Sequence, residues 1–262
     1  MAELSMNTRV PLGNGTAIPV LGLGVWKMAE GEETEHAVNM ALEAGYRHID
    51  TAKLYGNERS VGKAVRESGI PRGDIFVTTK LWPTDFLAPE RGFRNSLERL
   101  DIGYVDLYLI HWPVPFMSRK IWKTLERVYE EGLARAIGVS NFSIGDIEKL
   151  HGYARILPMA NQVEFNPASH DLKLVEYCKE KNIVVEAYSP LSRGKLTSSP
   201  TVAAIAKQYG KTPAQVLIRW ALQHGTIPLP KSSNKERIIE NTNIFDFSLD
   251  PADMQSLNTL SR

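Results

Sequence analysis

Between residues 21 and 229 the chain changes its hydrophobic period again and again, and this alternation constrains the fold more than any other feature. Short β-type runs occur at 21–24, 46–50, 75–80, 105–111, 134–139, 160–164, 183–188 and 226–229. Amphipathic stretches of helical period lie between them at 32–44, 58–68, 89–100, 121–131, 144–151, 172–181 and 213–224. Strands that alternate with helices pair in parallel through right-handed crossovers, and roughly eight repeats predict closure into a (β/α)8 TIM barrel. An open doubly wound sheet would need a glycine-rich phosphate loop after its first strand. Gly22-Leu23-Gly24-Val25-Trp26 does not continue into the required helix opening. Two extended runs, 10–12 and 18–20, flank Gly13-Asn14-Gly15 and predict an N-terminal hairpin. A last helix is expected from Asp250-Pro251, an N-cap followed by proline at the first helical position, to about Leu260. No linker or low-complexity run interrupts the 262 residues, so one domain over 1–262 is expected.

Composition narrows the partners. Lys plus Arg (31) nearly balances Asp plus Glu (30), for a net charge of +1, which argues against a nucleic acid or a membrane as partner. A local basic pocket for one small anion remains compatible with that balance, and a monomer is the plain expectation for such a surface. The single cysteine, Cys178, cannot form an intramolecular disulfide and suits a reducing cytoplasm. It sits in a helical stretch and reads as a small apolar filler. Residues 1–11 carry no apolar run or cleavage pattern, and no stretch approaches the roughly 18 apolar residues of a membrane span.

In a barrel of this kind the C-terminal ends of the strands carry the chemistry. The second strand ends at Asp50, with Tyr55 in the loop beyond; the third ends at Lys80 and the fourth at His111. Each alone has an ordinary explanation: a turn cap, a lysine reaching water, a loop tyrosine, a satisfied core histidine. Together on three successive strands they suit proton transfer by a phenol. Free tyrosine titrates near 10 and is a weak acid at neutral pH; a nearby ammonium lowers that value. Lys80 can supply the ammonium, Asp50 can hold it as an ion pair, and His111 can orient a substrate carbonyl. A metal site at Asp50, Glu58 and His111 lacks a histidine pair at ligand spacing and would be opposed by Lys80. No G-x-S-x-G elbow supports a serine hydrolase. A proton donor for a carbonyl needs a hydride source. Lys231, Ser232 and Arg237, after the eighth strand, are phosphate donors where barrels often bind phosphate, although the stretch also reads as a solvated basic face.

The chain resembles the aldo-keto reductase family. Residues 45–52, Gly-Tyr-Arg-His-Ile-Asp-Thr-Ala, followed by Tyr55, Asn57, Glu58 and Gly62, match its first signature. Residues 135–142, Arg-Ala-Ile-Gly-Val-Ser-Asn-Phe, match the second, and Leu229-Pro230-Lys231-Ser232 with Arg237, Glu240 and Asn241 match the third. The resemblance implies NADP(H) bound without a Rossmann fold and a catalytic tetrad of Asp50, Tyr55, Lys80 and His111. It implies that Ser140, Asn141 and Gln162 hydrogen-bond the nicotinamide carboxamide and that Tyr188 stacks on the ring. Ser189, Leu191 and the loop to Leu196 are expected to cover the pyrophosphate. Lys231, Ser232 and Arg237 are expected to hold the 2′-phosphate, favouring NADPH, and Glu240 and Asn241 to contact the adenine. Trp26, Trp82 and Trp112 are expected to line the pocket for a small-molecule carbonyl substrate. The short 113–120 connection is similar to that of the microbial diketogluconate reductase and protozoan prostaglandin F synthase subgroup. The family's His-Pro after the sixth strand is replaced by Asn166-Pro167. Little sequence follows Leu260, where the family carries a tail over the substrate, so an open pocket with broad selectivity is expected. The alternative is a non-catalytic NADPH-binding regulatory subunit of the same fold; a barrel isomerase acting on phosphorylated sugars would instead need a catalytic glutamate at a strand end.

Overall fold

The computed structural model describes residues 4–114 and 117–260. The first three residues of the 1–11 stretch, and residues 115 and 116 of the 113–120 connection, lie outside the described residues. The chain opens with an antiparallel hairpin, β1 (Arg9–Pro11) and β2 (Ala17–Pro19), in which Val10 faces Ile18. Each strand starts one residue earlier than the sequence pattern suggests. Leu12 N donates to Thr16 O at 2.7 Å, and Gly15 takes the left-handed conformation (φ 82°) that turns the chain.

Eight parallel strands follow: β3 (Leu23–Gly24), β4 (His48–Asp50), β5 (Phe76–Leu81), β6 (Leu107–Ile110), β7 (Ile137–Ser140), β8 (Ala160–Glu164), β9 (Val184–Tyr188) and β10 (Ile227–Leu229). Each pairs with its sequence neighbour, from β3 through to β10. The sheet closes on itself where Gly22 N donates to Pro228 O at 3.1 Å and Gly24 N to Pro230 O at 3.0 Å. Glycine is required at that seam. A Cβ on Gly22 would lie 2.6 Å from both His48 Nδ1 and Leu229 Cδ2. The chain therefore forms the expected (β/α)8 barrel. Several ladders are shorter than the β-type runs that encode them; a parallel bridge between Val105 and Ala134 carries two of those runs beyond β6 and β7.

Helices α1 (Glu32–Glu43), α2 (Glu58–Glu67), α3 (Pro89–Leu100), α4 (Ser118–Glu130), α5 (Ile144–His151) and α6 (Leu172–Glu180) fill the crossovers from β3 to β9. Two helices, α7 (Pro200–Tyr209) and α8 (Pro213–Gln223), lie between β9 and β10, and α9 (Lys235–Glu240) and α10 (Pro251–Asn258) complete the chain. The sequence reading lacked α7. Its start is nonetheless marked by Ser199 as N-cap and Pro200 in the first turn, and its end by Gly210 at φ 62°.

The large apolar core lies between strands and helices, as parallel strands buried on both faces require. Trp122 and Trp220 are fully buried. A smaller cluster, including Leu12, Ile18, Phe76, Leu107, Met159 and Ile227, joins the hairpin to the barrel strands. Cys178 is buried, and burial pushes its thiol up to about 11, as suits an inert filler. The barrel interior is different in character: His48, Asp50, Thr78, Lys80, Gln162 and Glu186 are all buried. A hydrogen bond from Gln162 of β8 to Asp50 of β4, strands that are not neighbours in the sheet, shows that these side chains meet across the interior.

Candidate active site

Asp50 is the last residue of β4, Lys80 stands one residue from the end of β5, and His111 follows β6 directly. Tyr55 closes a single 3-10 turn, Lys53–Tyr55, just after β4. That turn is anchored by Lys53, which donates to Asp85 and, at 3.0 Å, to Thr84 in the loop after β5. Asn57 anchors its other side, donating to Val25 O at 2.9 Å and accepting from Thr51 Oγ1 at 2.8 Å. Two signature residues thus act on packing rather than chemistry. Asn57 is one. Glu58 is the other, its carboxylate accepting from Thr79 Oγ1 at 2.5 Å and Arg99 Nε at 2.7 Å.

The four expected catalytic residues converge. Lys80 Nζ donates to both Asp50 carboxylate oxygens at 2.7 Å, to Thr51 O at 2.9 Å and to Tyr55 Oη at 3.3 Å. Lys80 has no exposed surface. Burial alone would pull its ammonium down, but the Asp50 carboxylate, the Tyr55 oxygen and the direct hydrogen bond reverse this, and its pKa lies above the usual lysine value. Tyr55 corrects the sequence expectation. Burial is the largest influence on its phenol and raises its pKa, while the Lys80 charge pulls in the opposite direction without prevailing. The Tyr55 phenol is therefore protonated at neutral pH. Burial and the Lys80 charge push His111 down to about 3, so it is a neutral imidazole at any ordinary pH. The His111 ring lies edge-on to Tyr55, with centroids 5.9 Å apart, and to Trp82 at 5.0 Å.

From this cluster a cavity of about 940 Å³ runs along the C-terminal face. It is lined by Asp50, Tyr55 and His111, by Trp26 and Trp112, and by these residues expected at the cofactor: Ser140, Asn141, Gln162, Tyr188, Ser189, Leu191, Lys231, Ser232, Arg237, Glu240 and Asn241; of the loop to Leu196, Arg193 and Gly194 line it and Leu196 does not. Lys80 lies beneath Tyr55 and Trp82 packs on His111; neither lines the cavity. Tyr188 Oη donates to Asn141 Oδ1 at 2.9 Å, and Asn141 Nδ2 donates to His111 O at 3.2 Å and Ser140 Oγ at 3.0 Å. Gln162 lines the cavity and also reaches into the barrel interior. Its Nε2 donates to Asp50 Oδ1 at 2.8 Å and Glu186 Oε2 at 3.2 Å. Two carboxyl groups on that side fix which end of the amide is the NH2. Asn166, in place of the family's histidine, donates to Ser189 O at 3.1 Å and steadies a serine held at φ 50°.

Sequence reasoning missed Lys27 and Thr212 in this wall, and it named Arg193 only as part of a loop. The Lys27 ammonium and the Arg193 guanidinium lie 4.6 and 5.0 Å from the Trp26 ring centroid. A second recess, of about 580 Å³, lies on the helical side and is lined by residues such as Glu30, Arg59, Lys63, Arg66 and Glu98. Charges of both signs line it, Lys63 pairing with Glu35, and it lacks the apolar walls of a substrate pocket.

Residues 20–262 match the model of the Aldo/keto reductase family. The chain is 47% identical over 257 residues to a 9,11-endoperoxide prostaglandin H2 reductase of Trypanosoma cruzi, a match covering 96% of this chain and 91% of that protein. It is 45% identical over 260 residues to a glyoxal reductase of Bacillus subtilis, covering 98% and 94%. Among solved structures, an aldo/keto reductase from Brucella melitensis superposes with a TM-score of 0.93 at 43% identity, covering 98% and 99%. A Bombyx mori aldo-keto reductase in complex with NADP superposes at 0.90 with 36% identity, covering 98% and 94%. The fold is a (β/α)8 barrel with its long cavity at the strand ends, and this chain belongs to the aldo/keto reductase family. Its chemistry is carbonyl reduction with NADP(H).

The residues present fit that cofactor. Lys231 and Arg237 have no carboxylate partner among the described residues. The buried Asn241 Oδ1 has no hydrogen-bond donor, although a buried acceptor needs one. An amino-bearing base and a phosphate would satisfy both.

Proposed function

We propose that the protein reduces small aldehydes, keto-sugars or keto acids to alcohols, with Tyr55 protonating the carbonyl oxygen. The observation that carries this reading is Lys80 Nζ seated between the Asp50 carboxylate, at 2.7 Å, and Tyr55 Oη, at 3.3 Å. NADPH, when bound, supplies the hydride. The chain's own residues do the rest. Asp50 and Thr51 O hold the ammonium, and the ammonium offsets negative charge as Tyr55 gives up its proton. The neutral His111 donates a hydrogen bond to the carbonyl and orients it, which supplies part of the rate by positioning. Trp26 and Trp112 wall the substrate, and with Trp112 and Leu54 44% and 45% exposed the mouth stays open to carbonyls of varied shape. Lys231, Ser232 and Arg237 hold the 2′-phosphate; Ser140, Asn141 and Gln162 meet the carboxamide, with Tyr188 on the ring. Ser189 and Leu191 cover the pyrophosphate, and Glu240 and Asn241 meet the adenine. One barrel domain acting as a monomer belongs to the same proposal.

The test follows NADPH absorbance with a small aromatic aldehyde, using wild type and Tyr55→Phe. Turnover that falls by about a thousandfold or more in Tyr55→Phe, with NADPH affinity retained, is the expected result, since general-acid catalysis contributes roughly 10²–10⁴-fold. Tight NADPH binding with no turnover by wild type would identify a regulatory subunit instead.

A further inference from the structure

Glu186 is a charged residue with no place in the mechanism above. It sits in the middle of β9, opposite Gln162 of β8, and has no exposed surface. Its Oε2 accepts from Gln162 Nε2 at 3.2 Å, and the same nitrogen donates to Asp50 Oδ1 at 2.8 Å. Its Oε1 has no hydrogen-bond partner and lies 3.5 Å from His48 Nε2, which is 3.0 Å from Thr78 Oγ1. One amide thus joins Glu186 to the carboxylate that holds the Lys80 ammonium.

We propose that Glu186 is a positioning residue for the Tyr55 proton donor: through Gln162 it steadies Asp50 on Lys80, and loss of its own proton weakens Tyr55 as an acid. This rests on the reading of Tyr55 given above. Two buried carboxylates joined by one amide, with a single ammonium near them, cannot both ionise cheaply. Asp50 takes the ammonium, so the proton stays on Glu186, and a protonated Oε1 can donate to the neutral His48 Nε2. Burial, then the Asp50 charge, push Glu186 up to about 8, against the opposing pull of Lys80. The groups facing it are His48 and Asp50 from β4 and Lys80 from β5, with Tyr55 beyond Lys80; Gln162 of β8 and the residues of β10 are uncharged. When Glu186 ionises, the cluster gains a negative charge. That charge raises the Tyr55 pKa further, so the phenol is a poorer acid in reduction and its phenolate is scarcer in the reverse reaction.

Glu186→Gln tests this with the whole enzyme. Its carboxamide keeps an acceptor for Gln162 and a donor for His48 but cannot ionise. Wild-type kcat for reduction is expected to fall above about pH 8, the value to which Glu186 is pushed, and kcat for the reverse reaction to stop rising there. In Glu186→Gln that fall should shift upward, with kcat at pH 9 about fivefold or more above wild type, kcat at pH 6.5 within about twofold, and KM little changed. A second readout needs no turnover: infrared spectra of the cofactor-free protein. The C=O stretch of a protonated carboxylic acid should be present at pH 7, fade above about pH 8 and be missing from Glu186→Gln. Glu186→Asp, which keeps an ionisable group, should shift that band and retain the alkaline fall; it serves if the glutamine variant fails to fold. Identical infrared bands in wild type and variant, or superimposed pH profiles, would overturn the proposal. Turnover persisting in Tyr55→Phe would overturn the parent reading with it. A dead Tyr55→Phe beside superimposed profiles would overturn this proposal alone.

Discussion

Lys80 carries more of the site than any other residue, and its burial is not visible locally in the sequence. A lysine at a strand end ordinarily reaches water; here the barrel closes over it until no surface remains. Its charge is tolerated because both Asp50 carboxylate oxygens accept from Nζ at 2.7 Å and Thr51 O accepts at 2.9 Å. Removing one partner of such a pair costs more than removing both, because the survivor is left charged and buried. Lys80→Met should therefore lower unfolding stability by about 3–5 kcal/mol as well as abolish turnover. Asp50→Asn combined with Lys80→Met should recover part of the stability but none of the activity. Urea denaturation of wild type and the two variants measures this, and a double variant no more stable than Lys80→Met would refute it. The Asp50, Tyr55, Lys80 and His111 set was legible because each residue ends or follows a strand on one barrel face. Glu186 was not legible. On a strand buried on both faces, apolar residues stand on both sides, so no alternation shows which way a charged side chain points.

At the level of elements, the barrel was readable because its period switches so often between strand and helix. Helix α7 was missed because it follows residues 189–199, a run rich in serine with proline and glycine that reads as loop. The third signature depends on α9, a six-residue helix that could not be stable alone. Its surroundings hold it. Asn234 accepts from Arg237 N at 2.9 Å, Tyr46 Oη donates to Ile238 O at 3.4 Å, and Thr212 Oγ1 donates to Glu240 Oε1 at 2.6 Å. None of these contacts uses the Arg237 guanidinium, so Arg237→Ala should leave the helix in place while removing one charge from the proposed 2′-phosphate site. A charge-assisted hydrogen bond is worth about 1.5–3 kcal/mol, so the NADPH dissociation constant should rise roughly 10- to 150-fold. The NADH constant should change less than about twofold, since NADH lacks that phosphate. Equal losses for the two cofactors, measured by fluorescence titration, would move the phosphate away from Arg237.

For the molecule as a whole, the polar barrel interior sets how stability responds to acid. His48 has no exposed surface and His111 is 8% exposed; burial first, and the Lys80 charge second, push each imidazole down to about 3. In the unfolded chain both take up protons near 6.5. Below that pH the unfolded state binds protons that the native state refuses, so stability falls as pH drops from about 6.5 towards 3. Each histidine adds a slope approaching 1.4 kcal/mol per pH unit across that window. Glu186 acts in the opposite sense. Its native pKa is raised, so its contribution is complete below the ordinary carboxylate value and is lost as pH rises through about 8. The two trends overlap between roughly pH 4.5 and 6.5 and partly cancel there. His48→Gln isolates the acid side without touching a residue that lines the cavity. It should be less stable than wild type at pH 8, because the Thr78 contact at 3.0 Å is perturbed, yet lose less stability between pH 6.5 and 4. Urea unfolding across that range decides it: parallel curves for wild type and His48→Gln would mean that the buried imidazole has no part in acid sensitivity.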